Sequence, residues 1–265
     1  MRELALLEIT NVDISYGKNV TVKDSNITLE KGEICSIVGE SGSGQTTVIR
    51  AVLGLLAGGG KVTAGDIVYE GRSLLTLNDK EWRALRGHDI SMIFQDSGAM
   101  MNQTRLIGNT YVEYIRTHEN NSKKEAWAKG AEMLGRMRLP DPDRIMRSYP
   151  FQLSGGQRQR VGIAMGMTYQ PRLLLADEPT SALDVTTQAQ IVRQMMELRD
   201  EYGTSIIIVT HDLGVATSMA DKVVVMKDGM IEEQGDRSYM LHESTNAYTK
   251  KLLDAVPSLG GKRYV

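Results

Sequence analysis

The sequence predicts an α/β fold with a mostly parallel core sheet, an antiparallel β subdomain and an inserted helical subdomain. Short apolar runs rich in Val and Ile recur at Ile34-Val38, Leu173-Ala176, Ile206-Val209 and Val223-Met226, and helix-patterned stretches separate them. Each run is too short for a buried helix and too continuous for a half-exposed strand, which suits central parallel strands covered on both faces. The intervening Thr187-Tyr202 repeats Ile191, Met195 and Leu198 at helical spacing, so strand and helix alternate as in an α/β core.

The remaining segments follow in order. Leu7-Ser15, Ser25-Leu29 and Gly65-Tyr69 read as strands joined by polar turns, an antiparallel sheet beside the core. Residues 97–159 are mostly helical in pattern, with a polar break at Glu119-Lys123 and a proline turn at Pro140-Pro142. They are expected to form a helical subdomain inserted between core halves 1–96 and 160–235. Residues 236–265 read as a polar tail ending in SLGGK. The fifteen methionines are scattered and read as core gap-fillers.

Composition excludes several classes. The 265 residues are 41% hydrophobic and 24% charged, with 31 basic against 33 acidic side chains. A net charge of -2 gives no global attraction to nucleic acid, and none is expected as a partner. No apolar run is long enough to cross a bilayer, and MRELALLEIT lacks the features of a signal peptide. A single cysteine, Cys35, makes no internal disulfide and no cysteine metal cluster.

Directly after Ile34-Val38 comes Gly39-Glu40-Ser41-Gly42-Ser43-Gly44-Gln45-Thr46-Thr47, followed by a helix-like run to Leu56. A glycine-rich turn between strand and helix lets backbone N–H groups converge on phosphate oxygens. The phosphate-loop pattern puts Lys after the last Gly, then a Ser or Thr whose hydroxyl goes to Mg2+. Thr46 fills the hydroxyl position, but Gln45 stands where the lysine belongs. A lysine ammonium near the phosphates is worth up to about 4 kcal/mol at an effective dielectric of about 20. A Gln amide hydrogen bond is worth about 1 kcal/mol. Nucleotide binding is therefore expected to persist while hydrolysis at this loop is impaired.

Leu173-Ala176 ends in Asp177 and Glu178. Asp177 suits Mg2+ held through water, and Glu178 suits orienting or deprotonating an attacking water. His211 follows the strand Ile206-Thr210, at the carboxyl end where α/β sheets place ligands, and could sense a terminal phosphate. His88, His118 and His242 lack such context. Ser154-Gly155-Gly156-Gln157 opens a long helix, so a hydroxyl and glycine N–H groups make a second anion site.

Together these motifs resemble the ATP-binding subunit of ATP-binding cassette (ABC) transporters over nearly the whole chain. LSGGQ at 153–157 resembles the family signature, LLLADE at 173–178 its Walker B motif, and Ser181-Ala182-Leu183-Asp184 its D-loop. Gln95 in MIFQD resembles the Q-loop glutamine, His211 the switch histidine, and Tyr16 in ISYG the aromatic residue that stacks on adenine. RGHDISMIFQD, RSYPFQLSGGQRQR and NAYTKKLLDAVP resemble the dipeptide/oligopeptide/nickel importer branch.

The resemblance implies a P-loop NTPase of the ABC ATPase type. Its cofactors are ATP and Mg2+, the metal held by Thr46, Gln95 and Asp177. Its partners are a second ABC ATPase subunit (a heterodimer that keeps one lysine-bearing site), two transmembrane permease subunits and an extracytoplasmic solute-binding protein. Its place is the cytoplasmic face of the inner membrane, attached peripherally. The cargo is expected to be di- or oligopeptides, with nickel or a metallophore as the alternative. A non-hydrolysing nucleotide-binding regulatory subunit is the alternative of a different class.

Overall fold

The computed structural model describes residues 4–181 and 183–255, together with the backbone of 258–259 and 262–263. Ala182, and Gly260 and Gly261 of the SLGGK turn, lie outside the described residues. The chain falls into two compact units, Met1–Glu81 with Ser205–Val265, and Trp82–Thr204.

The first unit opens with β1 (Leu7–Tyr16), β2 (Asn19–Leu29) and β3 (Ile34–Val38), followed by α1 (Gln45–Val52). Then come β4 (Gly60–Tyr69), β5 (Arg72–Ser73) and α2 (Asp79–Leu85). The order β2-β1-β4-β5 is antiparallel throughout, as predicted for the start of the chain. The helix after the glycine loop stops at Val52 rather than Leu56, because Gly54 turns the backbone to φ 61.

The second unit holds β6 (Ile90–Ile93), α3 (Ser97–Met100), α4 (Ile107–His118), α5 (Lys123–Arg136), α6 (Pro142–Met146) and α7 (Gly155–Met167). It closes with β7 (Leu173–Asp177) and α8 (Val185–Tyr202). β6 runs parallel to β7, with Ile93 opposite Ala176. The predicted breaks are where α4 and α6 meet their neighbours: Ser122 caps α5 in a reciprocal box with Glu125, and Pro142 opens α6 behind Asp141. Ile191, Met195 and Leu198 form the buried stripe of α8.

The first unit resumes with β8 (Ser205–Thr210), α9 (Leu213–Met219), β9 (Lys222–Lys227) and β10 (Met230–Asp236). These strands join in the order β10-β9-β3-β8, with β9 and β8 parallel to β3. Every residue of β3 and β8 is buried, which is why their sequences show no alternation. β10, antiparallel on β9, alternates exposed and half-buried residues and so carries no apolar run. The segment read as a polar tail contains α10 (Arg237–His242) and α11 (Ala247–Asp254), then the short strands β11 (Ser258–Leu259) and β12 (Lys262–Arg263). Asp236 and Asn246 cap the two helices, so capping rather than apolar periodicity marks them. No helix among the described residues is long and apolar enough to cross a membrane.

Candidate nucleotide site

In the first unit the loop of residues 39–44 leaves β3 and enters α1. Gly42 and Gly44 hold φ of 88° and 94°, a left-handed geometry that turns successive N–H groups to one side, where an anion can collect them. Gly39 is required by close approach: a Cβ there would stand 2.1 Å from the Met226 carbonyl oxygen. The peptide of Glu40 anchors the loop. Its carbonyl accepts from the Ser43 N–H at 3.1 Å and the Ser43 hydroxyl at 2.7 Å. Gln45, only 7% exposed, folds its Nε2 back to the same carbonyl at 3.5 Å. Ser41 is exposed, and Thr46 and Thr47 are half-buried at the start of α1.

Val38 lies opposite Thr210 in the parallel pair β3–β8, so Gly39 and His211 emerge at one carboxyl edge. His211 is exposed, and Asp212 beside it caps α9 by accepting from the N–H groups of Gly214 and Val215. Tyr16, at the end of β1, is half-buried, with its ring against the backbone of Gly60.

In the second unit Gln95 and Glu178 each lie two residues beyond the paired Ile93 and Ala176, and Gln95 Nε2 donates to Glu178 Oε2 at 2.9 Å. Asp177, at the end of β7, is 2% exposed. Glu178 turns left-handed at φ 43, a conformation that costs a residue with a Cβ about 1 kcal/mol. Its carbonyl accepts from both the N–H and the hydroxyl of Ser181, which starts the next turn.

The signature segment is built as a helix cap. Ser154 Oγ accepts from the Gln157 N–H at 3.2 Å, and Gln157 Oε1 accepts from the Ser154 N–H at 2.9 Å. Ser154 and Gly155 are exposed at the head of α7. A Cβ on Gly155 would meet Leu183 at 3.9 Å, and one on Gly156 would meet Thr187 at 2.9 Å. Asp184 caps α8 from the same side, and the Thr187 N–H, then its hydroxyl, hold the Asp184 carboxyl below its ordinary value. Segments 153–157 and 183–187 are thus brought together. Ala182 of the predicted D-loop lies outside the described residues.

A family model for the ABC transporter matches residues 22–181. The chain belongs to the ABC transporter family. It is 42% identical over 258 residues to the oligopeptide transport ATP-binding protein OppD of Salmonella typhimurium, covering 96% of this chain and 77% of that one. It is also 42% identical over 259 residues to the dipeptide transport ATP-binding protein DppD of Bacillus subtilis, with the same coverage of 96% and 77%. A dimeric post-hydrolysis structure of the ATP-binding cassette MJ0796, bound to ADP and Pi, matches with a TM-score of 0.77 and 30% identity. That match covers 87% of this chain and 98% of the other. The chain is an ABC-type ATPase, and this fold binds ATP.

For this ABC ATPase the glycine loop fits a polyphosphate: a concave run of N–H groups at a helix start, with the hydroxyls of Ser43, Thr46 and Thr47 in the same stretch. What it lacks is the ammonium, since the Gln45 amide brings no charge. Within the second unit, Asp177 and Gln95 offer oxygen donors of the hard kind that Mg2+ prefers. Motif spacing does not mark Tyr248, although its hydroxyl accepts from the Glu40 N–H at 3.1 Å. The available signal is Asn246, a helix-capping residue just before it.

Proposed function

We propose that this chain is the ATP-binding subunit of an importer for di- or oligopeptides, working at the cytoplasmic face of the inner membrane. The observation that carries the hydrolytic half of this reading is the Gln95–Glu178 contact at the ends of two paired strands. It holds a carboxylate where a water can be oriented. The similarity to oligopeptide and dipeptide transport ATP-binding proteins supports the cargo class.

In this reading the N–H groups of 39–47 bind the phosphates and Tyr16 stacks on the adenine. Glu178 orients the attacking water and His211 reports on the terminal phosphate. Thr46, Asp177 and Gln95 would hold Mg2+, which when bound supplies positive charge to the phosphate oxygens. The Ser154–Gln157 segment, exposed at Ser154 and Gly155, completes the site of a second ATPase subunit that carries the lysine, and Val185, 81% exposed beside Asp184, supports a partner surface there. Two permeases dock by Gln95, where a cavity of about 290 Å3 is lined by Met92, Phe94, Met100 and Met101. A solute-binding protein delivers the cargo from outside.

The test is steady-state ATPase of the purified chain with and without Gln45→Lys. Turnover is expected to rise at least about a hundredfold with lysine, given the lost charge, and to vanish again on adding Glu178→Gln. No rise with lysine favours the second reading, a nucleotide-binding regulatory subunit, for which Gln45 is the specific observation. Import of a labelled dipeptide against nickel by the assembled transporter separates peptide cargo from metal cargo.

A further inference from the structure

We propose that Tyr248 is a positioning residue for the phosphate loop, holding Glu40 at its backbone N–H while Ser43 and Gln45 hold its carbonyl. The proposal rests on the reading of 39–47 as a nucleotide site. Three donors converge on the Glu40 carbonyl: the Ser43 N–H at 3.1 Å, the Ser43 hydroxyl at 2.7 Å and Gln45 Nε2 at 3.5 Å. The other end of the same residue, its N–H, donates to Tyr248 Oη at 3.1 Å. Residues 40–42 at the tip of the loop are exposed, with Gly42 at positive φ, and the tyrosine that reaches this tip comes from a helix two hundred residues away in sequence.

Tyr248 is itself fixed. Its N–H and that of Thr249 donate to Asn246 Oδ1 at 2.8 and 3.2 Å, which locks the first turn of α11, and the Lys227 ammonium lies 5.2 Å from its ring centre. Lys251, one turn on, reaches Glu40 Oε1 at 3.4 Å, but both side chains are more than half exposed. Such a pair contributes little in water, so the weight falls on the neutral Tyr248 bond. α11 also packs against α9, the helix that follows His211, so it links the phosphate loop to the histidine's own segment. Preordering the loop lowers the entropy lost when an anion binds, and this matters most where Gln45 supplies no charge.

The experiment compares the full chain with Tyr248→Phe, which removes only the hydroxyl, and with Lys251→Ala. Hydrogen exchange without nucleotide is read over residues 39–44, and affinity is read with a fluorescent ATP analogue. Tyr248→Phe is expected to speed exchange at the Glu40 amide about fivefold and to weaken nucleotide binding by about the same factor, the loss of one hydrogen bond. Exchange in β1 and β2 is expected to stay unchanged and the melting temperature to fall by no more than about 2–4 °C, and Lys251→Ala to move neither exchange nor affinity. Unchanged exchange over 39–44 in Tyr248→Phe overturns the proposal, as does a general rise in exchange across the unit. If the parent chain binds no nucleotide, the nucleotide reading fails, while the exchange readout still decides the role of Tyr248.

Discussion

Gln95 and Glu178 meet at 2.9 Å because each stands two residues past a matched pair, Ile93 and Ala176, in adjacent parallel strands. Replacing the neutral amide by an acid therefore brings two carboxyl groups to hydrogen-bond distance. Like charges so close cannot both ionise easily, and one keeps its proton to higher pH. In the Gln45→Lys background, Gln95→Glu is expected to move the acid limb of the turnover–pH profile upward by about one unit or more. A profile that stays in place would mean the two groups part during turnover.

Gly156, in the proposed signature segment, is a packing glycine. A Cβ there would sit 2.9 Å from Thr187 Cγ2, and Thr187 cannot swing away while its N–H and hydroxyl hold Asp184 at 2.9 and 2.7 Å. Gly156→Ala is expected to cost about 1–2 kcal/mol in urea unfolding by overpacking. Adding Thr187→Ser, which keeps the hydroxyl and removes the methyl, is expected to return most of that. Absence of rescue would place the strain elsewhere.

The segment around α4 carries a pH dependence. Burial first, and the neighbouring His88 second, push the His118 imidazole below its ordinary value of 6.5, against a smaller pull from Glu119. Its ring meets Tyr114 and Tyr169 edge-on at 5.2 and 5.1 Å. The unfolded chain then binds the proton more readily than the folded one, so stability falls as pH drops through about 6.5 and levels off once the folded form is also protonated. His118→Gln is expected to flatten the urea midpoint between about pH 7 and pH 5. An unaltered slope would assign the effect to other groups.

Cys35 is fully buried in β3, and burial pushes its thiol up to about 12. The thiolate is the reacting species, so a maleimide is expected to label the folded protein only as fast as it unfolds. Labelling within seconds under native conditions would contradict this burial.

Much of this was legible in the sequence. β3 and β8 could be read because strands buried on both faces must be apolar throughout, and the loop at 39–47 because phosphate binding fixes glycine spacing. β10 escaped because it alternates exposed with half-buried residues, and α10 and α11 because their starts are written in single capping residues, Asp236 and Asn246. The contact of Glu40 with Tyr248 was invisible for a different reason: it joins residues 208 positions apart through one hydroxyl. No local pattern encodes a bond of that kind. Gln45, by contrast, was conspicuous because the motif specifies its position, and its return to the loop carbonyl shows how a neutral side chain fills a place meant for a cation.

The overhang of two residues beyond Ile93 and Ala176 also works as a gauge. The two backbones stand about one strand spacing apart, about 4.8 Å, and the amide and carboxylate close that gap with a contact of 2.9 Å. Inserting one residue after either strand would shift one partner by one position relative to the other, so the register of β6 on β7 governs whether the pair can form.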